Sequence, residues 1–191
     1  MFTLKQNPIL LDEITEILQY RFDHIDFIDK TFNAGFACPL DVYCHYSRDQ
    51  IFAAYDYYKP NTIRQGVFYV EDKKTDIFMI TLNKSEKAYS PSTMYNDYSM
   101  NEYLFHWQSQ STTSDTSPTA NRYFHHKETG NKILLFVREN KKDISGTAPY
   151  IFLGTANYVS HTGSKPIDII WRLDNPIPAR LLSATNKLAL G

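Results

Sequence analysis

Between residues 84 and 123 the chain sets aromatic rings beside hydrogen-bonding side chains at short intervals. Tyr89, Tyr95, Tyr98, Phe105, Trp107 and Tyr123 offer flat faces on which a planar ligand can stack. Asp97, flanked by Tyr95 and Tyr98, offers a carboxylate acceptor, and Gln108 and Gln110 offer amides. Lys84, Ser85 and Lys87 precede this group, and Ser111, Thr112 and Arg122 follow it. Those cations and hydroxyls suit the phosphates of a phosphorylated ligand. The stretch LFHWQSQSTTSDTSP, residues 104–118, holds both kinds of group. If it opens as a strand, Phe105 and Trp107 share one face, and His106, Gln108 and Gln110 share the other. Trp107 is then a candidate either for core packing or for stacking on a ligand.

Catalytic patterns are absent. The sequence has no GxxxxGK[ST] loop, no GxGxxG turn, no HExxH and no GxSxG. His125-His126-Lys127 approaches the HxK of phospholipase-D-type nucleases, but Lys132 stands where the accompanying Asp belongs. Cys38, Cys44 and His45 lack the spacing and the fourth ligand of a zinc site. The chain alone is therefore expected to be a non-enzyme that needs no cofactor and no metal. A small hydrolase with an unrecognised site is the remaining enzymatic alternative.

The elements that position these residues follow from periodicity. Asn7 and Pro8 suit the cap and first position of a helix, whose Leu11, Ile14, Leu18, Phe22 and Ile25 form one apolar stripe. Ser47 and Gln50 have capping-box spacing for a second helix. The period then changes to two. Residues 65–71 and 75–82 read as a hairpin, and residues 131–140, 149–160 and 166–178 as three further strands. YLFHWQSQ adds another strand. A short helix follows it, with Pro118 near its start and Gly130 past its end. The expected fold is α+β: a small, mostly antiparallel β-barrel over residues 59–191, with a helical extension over residues 1–58, as one compact unit.

Composition places the chain among globular proteins, with 42% hydrophobic and 21% charged residues. The net charge of −1 divides unevenly, because residues 1–58 carry four basic and nine acidic side chains, and residues 59–191 carry sixteen and twelve. A mildly basic body behind an acidic segment is compatible with one positive face. No run of eighteen apolar residues and no signal-peptide order occurs, and neither cysteine sits in a CxxC. A cytoplasmic protein without membrane contact is expected.

The words KTDIFMITLNKSE, AYSPSTMYNDYSMNEYLFHWQSQ, KILLFVRE, GTAPYIFLGTANYVSH and IIWRLDNPIPARLL resemble one family. It is the C-terminal domain of unknown function of bacterial proteins that also carry a phospholipase-D-type nuclease and a superfamily II helicase. SauUSI-type modification-dependent (type IV) restriction enzymes are of this kind. The likeness runs from about Pro39 to the end. It implies an SRA-like or PUA-like target recognition domain that reads 5-methylcytosine in double-stranded DNA by flipping the base. It also implies helicase and nuclease domains as partners, in cis or in trans. On that reading Tyr89, Tyr95, Asp97, Tyr98, Trp107, Gln108 and Gln110 form the modified-base pocket. Lys84, Ser85, Lys87, Ser111, Thr112 and Arg122 meet the DNA backbone. A carboxylate such as that of Asp97 would accept from the cytosine amino group and disfavour thymine. The alternative is a module that couples motor to nuclease through protein contacts made by the acidic first helix.

Overall fold

The computed structural model describes residues 7–23, 29–59, 63, 66–83, 97–144 and 146–186. Helix α1, Pro8–Asp23, opens the chain, and the Asn7 side-chain oxygen accepts from the Leu10 N–H at 3.3 Å. Strands β1 (Lys30–Thr31) and β2 (Asp41–Val42) pair with each other, and β3 is His45–Tyr46. Helix α2, Arg48–Ala53, starts with the expected capping box. The Gln50 N–H donates to Ser47 Oγ at 3.2 Å, and the Ser47 N–H donates to Gln50 Oε1 at 2.8 Å.

Strands β4 (Val67–Val70) and β5 (Thr75–Thr81) form the hairpin, closed by the Lys74 N–H on the Glu71 carbonyl. The chain then reaches the far edge of the sheet, where β6 (Tyr98–Ser99) and β7 (Leu104–Gln108) pair antiparallel. Helix α3, Pro118–Phe124, is N-capped by Ser117 and leads back to β8 (Lys132–Arg138), which lies parallel to β5. A small hairpin of β9 (Lys142–Asp143) and β10 (Gly146–Thr147) precedes the long β11 (Tyr150–Thr162). Strand β12 (Asp168–Leu173) and helix α4 (Ala179–Asn186) complete the described chain.

The main sheet runs β4-β5-β8-β11-β12-β7-β6, with β3 added on β11, and every pair except β5–β8 is antiparallel. The α+β class is as expected, but the sheet is not closed into a barrel. Among the described residues β4 and β6 are its outermost strands, and β6 is only two residues long, too short to carry a closing ladder. The sheet curls strongly all the same. Its β11 strand breaks register between Phe152 and Gly154 and again between Tyr158 and Ser160. Such bulges bend a strand and raise its twist. Gly154 sits at φ +87°, and a Cβ there would come 3.0 Å from Asn175 Nδ2 and 3.4 Å from Val42 Cγ2, so the bend needs glycine.

Curling puts one core inside the sheet and a second behind it. Inside, Phe78, Phe105, Trp107, Tyr123, Ile133, Leu135, Ile169 and Trp171 are buried together under α3. Behind, Leu40, Val42, Ile51 and Phe52 cover Ile77, Met79, Leu134, Phe136 and Phe152. Residues 29–57, grouped by sequence with the first helix, are thus built into the sheet's back face. Helix α1 differs. Its Ile9, Ile17 and Leu18 are 72%, 63% and 64% exposed.

Candidate functional site

Strand alternation decides which side of β7 faces outward. Phe105 and Trp107 point into the core, whereas Leu104, His106 and Gln108 are half-buried on the other face. Strand β12 alternates in step, burying Ile169, Trp171 and Leu173 and leaving Asp168, Ile170 and Arg172 outside. Register then sets Asp168 opposite Gln108, and Ile170 opposite His106. On the neighbouring edge Tyr98 pairs with His106, and their rings stack with centroids 4.6 Å apart and planes 16° apart.

The result is a cluster of aromatic and hydrogen-bonding groups on the outer face at the β6–β7–β12 end. Gln108 Nε2 donates to Asp168 Oδ1 at 3.0 Å, and His106 Nε2 lies 3.3 Å from the same oxygen. The Asp168 side chain stays 35% exposed. Beside it the turn after β11 carries Gly163 at φ +73°, and a Cβ on that glycine would stand 3.7 Å from Asp168 Oδ2. On the next strand of this face Thr162 pairs with Asp168, and Ser160 with Ile170.

The expected residues fall into three groups. Tyr98 and Gln108 lie in this cluster. Gln110 follows at the strand's end, half-buried, with Ser111 and the exposed Thr112 in the turn after it. Asp97 touches the cluster from beneath. It is buried, and its Oδ1 accepts the Gln108 backbone N–H at 3.0 Å, so its carboxylate anchors β7. Trp107 and Arg122 are used elsewhere. The Trp107 ring is 4% exposed and packs between Phe78, Tyr123 and Trp171, and it gives no open face to a ligand. Arg122 holds the fully buried Asp76 with two hydrogen bonds of 2.8 Å, and its guanidinium lies 3.8 Å from the Tyr69 ring centroid. Burial pushes the Asp76 carboxyl up from its ordinary range, and the guanidinium opposes that shift. Arg122 was expected on phosphate, but the buried Asp76 carboxylate claims its guanidinium. Lys84, Ser85, Lys87, Tyr89 and Tyr95 lie outside the described residues.

The hydroxyls of residues 109–117 mostly brace their own loop. Ser109 Oγ accepts from the Ile167 N–H at 2.8 Å, and Ser164 Oγ donates to Asp115 Oδ1 at 2.9 Å. Ser117 Oγ accepts from the Ala120 N–H at 3.2 Å as the cap of α3. These bonds clamp the loop to the turn at 163–166, which is also tied by the Lys165 N–H on the Thr113 carbonyl.

The histidine pair is likewise structural. His126 is buried, with Nδ1 3.2 Å from the Asn131 carbonyl, while its Nε2 accepts from the Tyr158 N–H at 3.1 Å. It therefore fixes β11 beside its second bulge. Its pKa is lowered, chiefly by burial. His125 instead meets Glu128 at the surface. Among the described residues no three His, Cys, Asp or Glu side chains gather as a metal site would need.

Sequence reading placed His106 on the outer face but did not assign it to the pocket, and it did not single out Asp168. Alternation in DIIWRL shows that Asp168 faces outward. Only the pairing of β12 with β7, sixty residues apart in the chain, shows that it meets Gln108.

The words that build this end of the sheet also place the chain among known sequences. The family described as Domain of unknown function (DUF3427) matches residues 40–184. The chain belongs to the DUF3427 family. The matched span includes every strand of the curled sheet, from β3 to β12, and it leaves out α1. No curated protein matches the chain. Within the DUF3427 span lie the β6–β7–β12 cluster and residues 84–96. No helix among the described residues is long and apolar enough to cross a membrane.

Proposed function

We propose that the domain recognises double-stranded DNA carrying 5-methylcytosine and does so by taking the modified base out of the stack. The observation that carries this reading is the Tyr98–His106 ring stack beside the Gln108–Asp168 hydrogen-bonding pair, on the outer face of the sheet. A flipped base needs a flat surface and groups that meet its Watson–Crick edge. Splayed phosphates need cations and hydroxyls, which Lys84, Ser85, Lys87, Ser111 and Thr112 would supply. Tyr89 and Tyr95, in the segment that leads into Asp97, would add further ring surface. We read the curled sheet as a relative of SRA-like and PUA-like recognition domains, working beside a helicase motor and a nuclease in a modification-dependent restriction system. The chain itself would perform no catalysis and would act in the cytoplasm.

The test is binding to duplexes that differ only by cytosine methylation. Methyl-dependent binding that Tyr95→Ala weakens supports the reading, and equal or absent binding overturns it.

One observation favours the coupling alternative. Helix α1 presents exposed Ile9, Ile17 and Leu18 among Asp12, Glu13 and Glu16, as a helix does when another protein surface is its partner. Methylation-blind behaviour together with stable association of α1 with the motor or nuclease would favour this role.

A further inference from the structure

We infer that Asp168, and not Asp97, supplies the carboxylate that reads the exocyclic amino group of the bound base, with Gln108 and His106 as its positioning residues. This rests on the DNA-recognition reading above and assigns the residue that discriminates there.

Three observations lead to it. First, the two carboxylates are placed differently. Asp97 is 5% exposed and already accepts the Gln108 backbone N–H, whereas the Asp168 side chain is 35% exposed on the outer face. Second, the two oxygens of Asp168 are used unequally. The amide of Gln108 and the imidazole of His106 both converge on Oδ1, at 3.0 and 3.3 Å, while Oδ2 has no hydrogen-bond partner among the described residues. A carboxylate has about four lone-pair positions, so a group held this way keeps acceptor capacity and has little rotational freedom left. A bridge that served only to join β12 to β7 would add little, since their backbone ladder already pairs Asp168 with Gln108. Third, Gly163 borders Oδ2 without a side chain, and a Cβ there would also stand 3.3 Å from the Pro166 carbonyl oxygen. Any side chain there would start 3.7 Å from Oδ2, at a backbone φ of +73° that other residues rarely adopt.

The ligand chemistry follows from the acceptor. An oriented anionic oxygen beside stacked rings selects a planar heterocycle that presents an N–H donor at its edge. Cytosine and 5-methylcytosine do so through the 4-amino group. Thymine offers a carbonyl at that position and would meet the carboxylate with two acceptors face to face. Asp168 thus separates cytosine-type bases from thymine, and it is indifferent to the methyl group itself.

The test combines a variant with a base analogue, using the full chain and a duplex with one 5-methylcytosine. Asp168→Asn keeps the shape but places an amide donor or a neutral oxygen where the anionic acceptor stood. It should weaken binding about tenfold or more, the range expected when a charge-assisted hydrogen bond is lost. Its thermal midpoint should stay close to wild type. A duplex with 5-methylpyrimidin-2-one, which lacks the 4-amino group, should bind the wild type about tenfold more weakly as well, and should bind Asp168→Asn no worse than it binds the wild type. The analogue needs no variant to fold, so it remains decisive if Asp168→Asn is unstable. Wild-type methyl-dependent binding that neither the analogue nor the variant disturbs overturns the assignment and leaves the recognition reading intact. Absence of methyl-dependent binding by the wild type overturns both.

Discussion

Phe78 stacks on Trp107 with ring centroids 4.3 Å apart and planes 24° apart, although β8, β11 and β12 lie between their strands in the sheet. The contact exists because the two bulges of β11 bend the sheet until its β5 and β7 sides meet over a common core. It explains why an open sheet without closing hydrogen bonds can still enclose a core.

Trp107→Ala should therefore act on stability. Removing a buried tryptophan costs about 3–5 kcal/mol, from lost transfer energy and the cavity left behind. Urea denaturation should show a lower midpoint. Any DNA binding should fall only in proportion to the folded fraction. Binding lost at full native content would instead assign Trp107 to the ligand.

Arg122 and Asp76 form a buried pair that should be costly to break and cheap to remove whole. Arg122→Met should destabilise by roughly 2–4 kcal/mol, a little below the usual range because the Arg122 side chain is 21% exposed. The double variant Arg122→Met/Asp76→Leu should recover most of that loss. A double-mutant cycle followed by urea denaturation measures the coupling. A near-zero coupling energy would leave Arg122 available for phosphate.

His126 makes stability depend on pH in a defined direction. Burial lowers its pKa in the folded state, so the unfolded chain, near the ordinary value of about 6.5, takes up the proton first. Stability from this residue is full above pH ~6.5 and is lost as pH falls toward the lower folded-state value. His45, also lowered by burial, acts in the same sense. Urea midpoints measured from pH 7.5 down to 5 should fall for the wild type, and should fall less steeply for His126→Gln. Parallel curves for the two proteins would contradict this role.

Affinity for DNA should come mainly from phosphates and stacking, and so should weaken with salt. Replacing Lys84 or Lys87 by Ala should lower the slope of log K against log salt by about 0.9 for each phosphate left without its cation. It should weaken methylated and unmethylated duplexes alike. Titrations at several salt concentrations read both effects. A change in methyl preference would place the lysine at the base instead.

What could be read from sequence was whatever is decided locally. The Ser47–Gln50 capping box, the hairpin around Lys74 and the alternation of LFHWQ depend on residues within a few positions, and the structure contains all three. Relationships over long separations were not legible. The Arg122–Asp76 pair spans forty-six residues and Gln108–Asp168 sixty, and nothing in either segment encodes the strand order that joins them. Closure failed for the same reason. Six strands with good alternation suggest a barrel, but whether the edges meet depends on the two-residue length of β6 and on register shifts in β11. Asp97 shows the limit most plainly. Its aromatic neighbours suggested a ligand-facing acceptor, yet the anchor of β7 needs that same carboxylate.

The central claim is that this domain reads a methyl group on cytosine in duplex DNA. One extra methyl in an apolar slot is worth about 1–3 kcal/mol, or roughly 5- to 150-fold in affinity. Stacking, worth a further ~1–3 kcal/mol per base, is shared by both bases. The most direct measurement is the ratio of dissociation constants for two otherwise identical duplexes, one methylated at a single cytosine and one not, at fixed salt. A ratio within that range in favour of the methylated duplex is the predicted result. A ratio of one, at a salt concentration where both duplexes bind, would contradict the account.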